Sequence, residues 1–171
     1  MKRTTILGVA TAVLAVSGMG VANAQSNGPS GISARLGAFF PTNNLASDLG
    51  SSWFSFGVDY KLDAYSASTP INNTRAYFGL SADYYSHGSD NDIPVALTYN
   101  IRQGQMVWAA GIGPEFRNAG DLTDTGVGLA EQVSWAYEFG QSKTPLFVEA
   151  KYFFSSKPEL SGFGLYLGAR F

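Results

Sequence analysis

The chain of 171 residues contains no cysteine and a single histidine, His87. Without thiols there is no disulfide to staple the fold, no thiolate zinc site and no cysteine for lipid attachment. One imidazole also excludes a multi-histidine metal centre, so no cofactor or metal is expected. Charged residues make up only 14%, with a net charge of −2 at pH 7. That balance lacks the basic surface nucleic-acid binding requires. Beyond Val21 there is no apolar run long enough to cross a bilayer as a helix.

The apolar run that does occur lies at the start. Lys2 and Arg3 precede a small, apolar stretch from Ile6 to Val21, and Ala22-Asn23-Ala24 is a small-x-small cleavage site. This reads as a secretory signal peptide over 1–24, cleaved after Ala24, with one domain over 25–171. A helical anchor is the alternative; the stretch is short, rich in Gly and Ala, and has no positive flank after it. If the exported chain enters a membrane it must do so as a closed barrel, because unpaired backbone is not tolerated in lipid.

Eight segments alternate apolar and polar residues: Ile32 to Phe40, Trp53 to Leu62, Arg75 to Tyr84, Ile93 to Arg102, Met106 to Arg117, Val127 to Phe139, Leu146 to Phe154 and Phe163 to Phe171. Each is close to the ~9–11 residues of a tilted membrane strand. Turn formers separate them, as in Pro41-Thr42-Asn43-Asn44, Ser86-His87-Gly88-Ser89-Asp90-Asn91-Asp92 and Arg117-Asn118-Ala119-Gly120-Asp121. The apolar register carries one charged residue, Glu131. The other carries Arg35, Asp59, Lys61, Arg75, Asp83, Arg102, Glu115, Arg117, Glu138, Glu149, Lys151 and Arg170.

A soluble lipocalin-like barrel, with its apolar set inside, has the same periodicity. The leader and the aromatics favour a membrane. With both chain ends on one side, Phe40, Phe54, Tyr84, Phe116, Phe154 and Phe163 fall at one rim of the apolar face. Tyr60, Phe78, Tyr99, Trp108, Trp135, Tyr137 and Phe171 fall at the other. Val58, Leu80, Ala82, Leu97 and Val148 lie between them. Such girdles suit the two headgroup zones.

The final strand, Leu165-Tyr166-Leu167-Gly168-Ala169-Arg170-Phe171, ends on an aromatic residue. Together with the leader and the eightfold alternation it resembles the small outer-membrane barrels of the OmpA/OmpX-like superfamily, described as porin-like β-barrel domains. The resemblance covers the chain after the leader. It implies an all-β, eight-stranded antiparallel up-and-down barrel in the bacterial outer membrane. It also implies contact with outer-membrane lipid and lipopolysaccharide, engagement of the barrel-assembly machinery through the last strand, and a monomer. No peptidoglycan-binding domain is expected after that strand.

Eight strands enclose a space that side chains can fill. Arg35, Asp59, Glu149, Lys151 and Tyr166 share a mid-barrel depth on four contiguous strands, which predicts an ionic plug. Inward Gly37, Gly57, Gly79, Gly111, Gly113, Gly128, Gly164 and Gly168, with Ala96, Ala109, Ala130 and Ala136, leave volume or relieve curvature. Pro94 and Pro114 predict a loosened ladder between the fourth and fifth strands, by termination, bulge or lateral opening. His87-Gly88-Ser89, with Asp83 and Asp90 nearby, matches a His-x-Ser spacing found in a lipid A esterase, but in an expected loop. Asp90, Asn91 and Asp92, or Asp121 and Asp124, read as solvated loop residues that could hold a divalent cation weakly. Glu131 either turns inward at a bulge or lies near a rim. The leading expectation is a non-enzymatic envelope protein with a plugged lumen. A narrow porin-like channel comes second and a lipid A-modifying enzyme third.

Overall fold

The computed structural model describes residues 31–69, 74–118, 125–139 and 144–171. The leader, and with it the cleavage site after Ala24, lies outside the described residues, as do Asp121 and Asp124. The described residues form eight antiparallel strands: β1 Ile32–Pro41, β2 Trp53–Thr69, β3 Thr74–His87, β4 Asp90–Gln103, β5 Met106–Asn118, β6 Gly126–Phe139, β7 Leu146–Ser155 and β8 Gly162–Arg170. Each pairs with its sequence neighbour, and β1 closes on β8, giving an up-and-down barrel without edges. Phe171 prolongs that seam: its N–H donates to the Ile32 carbonyl at 2.8 Å, and its carbonyl accepts from Gly31 N–H at 3.1 Å.

The end holding Gly31 and Phe171 is the base, and the opposite end is the top. At the base, β4 and β5 are joined through Gly104-Gln105; at the top, β3 and β4 are joined through Gly88-Ser89. Gly88 and Gly104 each have a φ of +60°, which the tight primed turns of hairpins require. This corrects the expected loop at Ser86–Asp92. His87, Asp90 and Asp92 belong to paired strands, with His87 opposite Asp90 and Tyr85 opposite Asp92.

Two short elements fold over the top. Helix α1, Asn44–Leu49, is capped by Asn43, whose side chain accepts the Leu45 N–H, and it presses Ala46 into the barrel mouth. A 3₁₀ turn, Pro158–Leu160, presses in Leu160 from the other side. The Thr42 N–H donates to the Ser161 carbonyl at 3.0 Å and ties the two connections together.

Alternation sorts the wall. Leu36, Phe54, Leu80, Leu97, Ile112, Val148 and Leu167 are each at least 41% exposed on the outside, while Arg35, Asp83, Glu115 and Lys151 are buried inside. A water-soluble barrel has the reverse partition. All thirteen girdle aromatics lie on the outer face, with contacts such as Trp108 to Trp135 at 6.1 Å and Phe78 to Tyr99 at 5.4 Å. Glu131 is outward too. The β5–β6 register runs unbroken from Met106–Tyr137 to Arg117–Gly126, so no bulge turns it in, and its β7 partner is the rim residue Phe154.

Pairing between β4 and β5 lapses at Val95 and Ala96, opposite Gly113 and Pro114. Pro94 points inward and Pro114 outward. The lapse opens no gap, since a methyl group at Gly113 would overlap the Val95 carbonyl.

Candidate functional site

The lumen is built in three layers, each with a different chemistry. The middle layer is ionic. Arg35 on β1 pairs with Asp59 on β2, reaches Asp83 on β3 at 2.5 Å and lies 3.4 Å from Glu149 on β7. Lys151 bonds Asp83 at 2.9 Å, and the Ser81 hydroxyl accepts from Arg35 at 3.0 Å and from Lys151 at 3.2 Å. Tyr166 on β8 faces the Arg35 guanidinium, 5.5 Å from ring centroid to Cζ, and shares a 2.8 Å hydrogen bond with Ser55.

The five residues expected at mid-depth thus lie in one assembly, but its hub was not among them. Asp83 bridges the two cations from a fifth strand, so the cluster is wider than four strands. Its register alone turns Asp83 inward; its depth depends on β3, which runs farther toward the top than the alternation suggests. Burying two cations with three carboxylates is tolerable only because each charge has partners, as isolated charges in such a place would be expensive.

Many of the inward glycines do not leave empty volume. A methyl at Gly57 would overlap the Asp83 carboxylate and the Arg35 guanidinium. Gly37 and Gly164 likewise make room for the Tyr166 ring. Large lumen side chains lie on these glycines, which is why small and large residues coexist on one face.

The top layer is aromatic. Phe39 stacks on Tyr85 with centroids 4.1 Å apart, and meets Trp53 at 5.7 Å and Phe153 at 6.0 Å edge to face. Ala46 and Leu160 close the cluster from above, and all six are buried. Several polar atoms at its margin are tied in, while Glu115 Oε2 and Arg117 Nε have no partner among the described residues. Trp53 Nε1–H donates to the Gly50 carbonyl at 3.0 Å. The Tyr85 hydroxyl lies 2.8 Å from both Asp92 Oδ2 and the Leu160 carbonyl, and its single proton goes to one at a time. Glu115 accepts from Arg117 at 2.5 Å and from Ser156 at 2.6 Å. The expectation that Asp90 and Asp92 are solvated loop acids is therefore corrected: both are buried at 2% exposure or less, inside the wall. Among the described residues, no group of three or more acidic or imidazole side chains is arranged to hold a metal ion.

This aromatic layer was the feature sequence reasoning missed. The signal was present, because Phe39, Trp53, Tyr85 and Phe153 all occupy the charged register near strand ends.

The base layer is hollow and polar. Gly79, Thr98, Asn100, Ala109, Gln132 and Ser134 line a cavity of about 40 Å³ that continues to Gly31, Lys61 and Arg170 at the mouth. Such a space holds about three water molecules. Gln132 Oε1 is buried without a protein partner, as expected of a group that bonds water. The Asp59 side chain is 33% exposed while its partner Arg35 is fully buried, so solvent access ends at the ionic layer. At the mouth Glu138 pairs with both Arg102 and Arg170.

His87 stacks on Trp53 with centroids 6.0 Å apart, under Gly50, and Ser89 is exposed in the turn. No hydrogen bond joins the two among the described residues. Asp83, named beside them as an orienting acid, is committed to Arg35 and Lys151.

An apolar exterior, paired aromatic girdles and a polar lumen define the class: a small closed barrel built to sit in lipid. No family model matches the sequence, and no curated protein matches it. Among solved structures it is similar to the crystal structure of the outer membrane enzyme PagL. The TM-score is 0.51 at 16% identity, covering 81% of this chain and 97% of that one. It is also matched with the Yersinia pestis outer membrane protein Ail in a phospholipid nanodisc, at a TM-score of 0.46 and 11% identity, over 85% of this chain and 100% of that one. The chain shares the eight-stranded fold of the small outer-membrane barrels.

Proposed function

We propose that this protein is an integral barrel of the bacterial outer membrane with a sealed lumen, contributing without catalysis to envelope integrity or to surface interaction through its top connections. In this reading it is exported with cleavage after Ala24 and stands as a monomer. Lipid and lipopolysaccharide surround its apolar wall, and the barrel-assembly machinery engages β8. The observation that carries the reading is the double closure of the lumen, by the Arg35–Asp83–Lys151 cluster and again by the Phe39–Trp53–Tyr85–Phe153 stack.

Single-channel conductance of the refolded barrel in a planar bilayer tests it. The wild type is expected to be silent. Glu149→Ala with Lys151→Ala should stay silent as well, because the aromatic stack still blocks the top. Adding Trp53→Ala and Phe153→Ala should produce reproducible small steps. Steps in the wild type would overturn the sealed reading in favour of a narrow channel, which the polar cavity at the base supports. The enzymatic reading has less behind it: the likeness to PagL carries the fold alone, and His87 and Ser89 do not form a pair.

A further inference from the structure

Glu131 is a charged side chain on an otherwise apolar outer wall, and beside it the wall is dented. The dent is a groove of about 470 Å³ crossing β4 to β8. Ala110, Val133 and Ala150 form its floor, and Trp108, Trp135 and Tyr152 stand up around it. Strand tilt gives it a direction. The register row Tyr99, Ala110, Val133, Tyr152, Phe163 climbs from the base girdle to the top girdle, so the groove crosses the apolar band between them.

Glu131 lies on the same face of β6 as Val133, two residues nearer the top, a distance of about 7 Å. Its strand partners are Ile112 and Phe154. Among the described residues it has no hydrogen bond or ion pair, and it is exposed. A carboxylate at the edge of a lipid-facing surface is tolerated near the interface, and it is favoured further when a cation meets it.

An apolar trough running down the band, with one negative charge at its upper edge, is the complement of an amphiphile with a cationic head. We propose that this face binds a membrane lipid bearing a primary ammonium headgroup. Its acyl chain lies along Ala110, Val133 and Ala150, and its ammonium group pairs with Glu131. The assignment rests on the membrane reading above and adds a lipid preference to it.

The protein carries its own reporter. Of its three tryptophans, Trp53 is sealed in the lumen at 1% exposure, whereas Trp108 and Trp135 wall the groove. The barrel is refolded into phosphatidylcholine vesicles in EDTA, which removes bridging divalent cations. The vesicles contain a fixed fraction of brominated-chain phosphatidylethanolamine or phosphatidylglycerol. In the wild type, phosphatidylethanolamine should quench with an apparent affinity about two- to fivefold higher, the range of one exposed ion pair. Glu131→Gln, which keeps size and fold, should abolish that preference while quenching by both lipids persists. Ala110→Leu with Ala150→Leu should weaken quenching by both, in samples whose circular dichroism retains the strand signal. Equal quenching by the two lipids in the wild type would overturn the proposal, as would a preference surviving Glu131→Gln or quenching unchanged by the leucine pair. No quenching by either lipid would instead defeat the membrane reading itself.

Discussion

The top and base halves of the lumen are built from the same alternation and are closed in opposite ways. In the top half, rings and two inserted connections fill the bore, and Trp53 Nε1–H and the Tyr85 hydroxyl are bonded to protein, while Glu115 Oε2 and Arg117 Nε at the margin have no partner among the described residues. In the base half, side chains are small, a polar cavity remains, and an acceptor on Gln132 is left for water. Between them the ionic layer is dry on its Arg35 side and wet on its Asp59 side. Alternation decides only which face a residue takes. Whether that face is packed or hollow depends on the sizes that meet across the lumen.

The contrast is most severely tested at the boundary. Asp83→Asn leaves Arg35 and Lys151 short of a carboxylate in a buried place, and it should cost about 3–5 kcal/mol. Denaturant unfolding of the vesicle-inserted barrel measures this, and a loss below 1 kcal/mol would mean that water reaches the layer from both sides. A smaller effect is expected inside the cap. Tyr85→Phe removes the hydroxyl shared by Asp92 and the Leu160 carbonyl, leaving buried acceptors unserved at a cost of about 1–3 kcal/mol. Smallest of all, Ala109→Ser in the base cavity should change stability by less than about 0.5 kcal/mol, because the added hydroxyl meets a polar, hydrated space. If Ala109→Ser proved as costly as Tyr85→Phe, the base would be packed like the top and the distinction would fail.

Much of this architecture is legible in the sequence. Eight strands, the facing of nearly every residue and the girdles follow from period-two alternation, because lipid outside and charge inside leave opposite marks on alternate positions. The candidate site is less legible. Arg35, Asp59, Glu149, Lys151 and Tyr166 were placed by depth, but depth depends on strand extent, and β3 continues past Tyr84 to His87. Asp83, next to the expected strand end at Tyr84, therefore falls outside the mid-depth set. Asp90 and Asp92 resemble turn residues because an acidic, glycine-containing stretch has the same composition in a loop and in a hairpin that projects past the girdle. Phe39, Trp53, Tyr85 and Phe153 were hidden for another reason: an inward aromatic is unremarkable until three others arrive at its height, and that meeting is set by shear between distant strands.

The one-sided hydration of the lumen has an electrical consequence. Water that enters from the base carries the potential of that compartment up to the ionic layer. Any voltage across the membrane then falls over the dry aromatic cap, a few residues deep, and not over the length of the barrel. The charges of the ionic layer sit almost outside that field. A charge introduced at Phe39 or Phe153 would lie inside that field and feel the share of it set by its depth in the cap, out of about 2.3 kcal/mol per 100 mV for the whole drop.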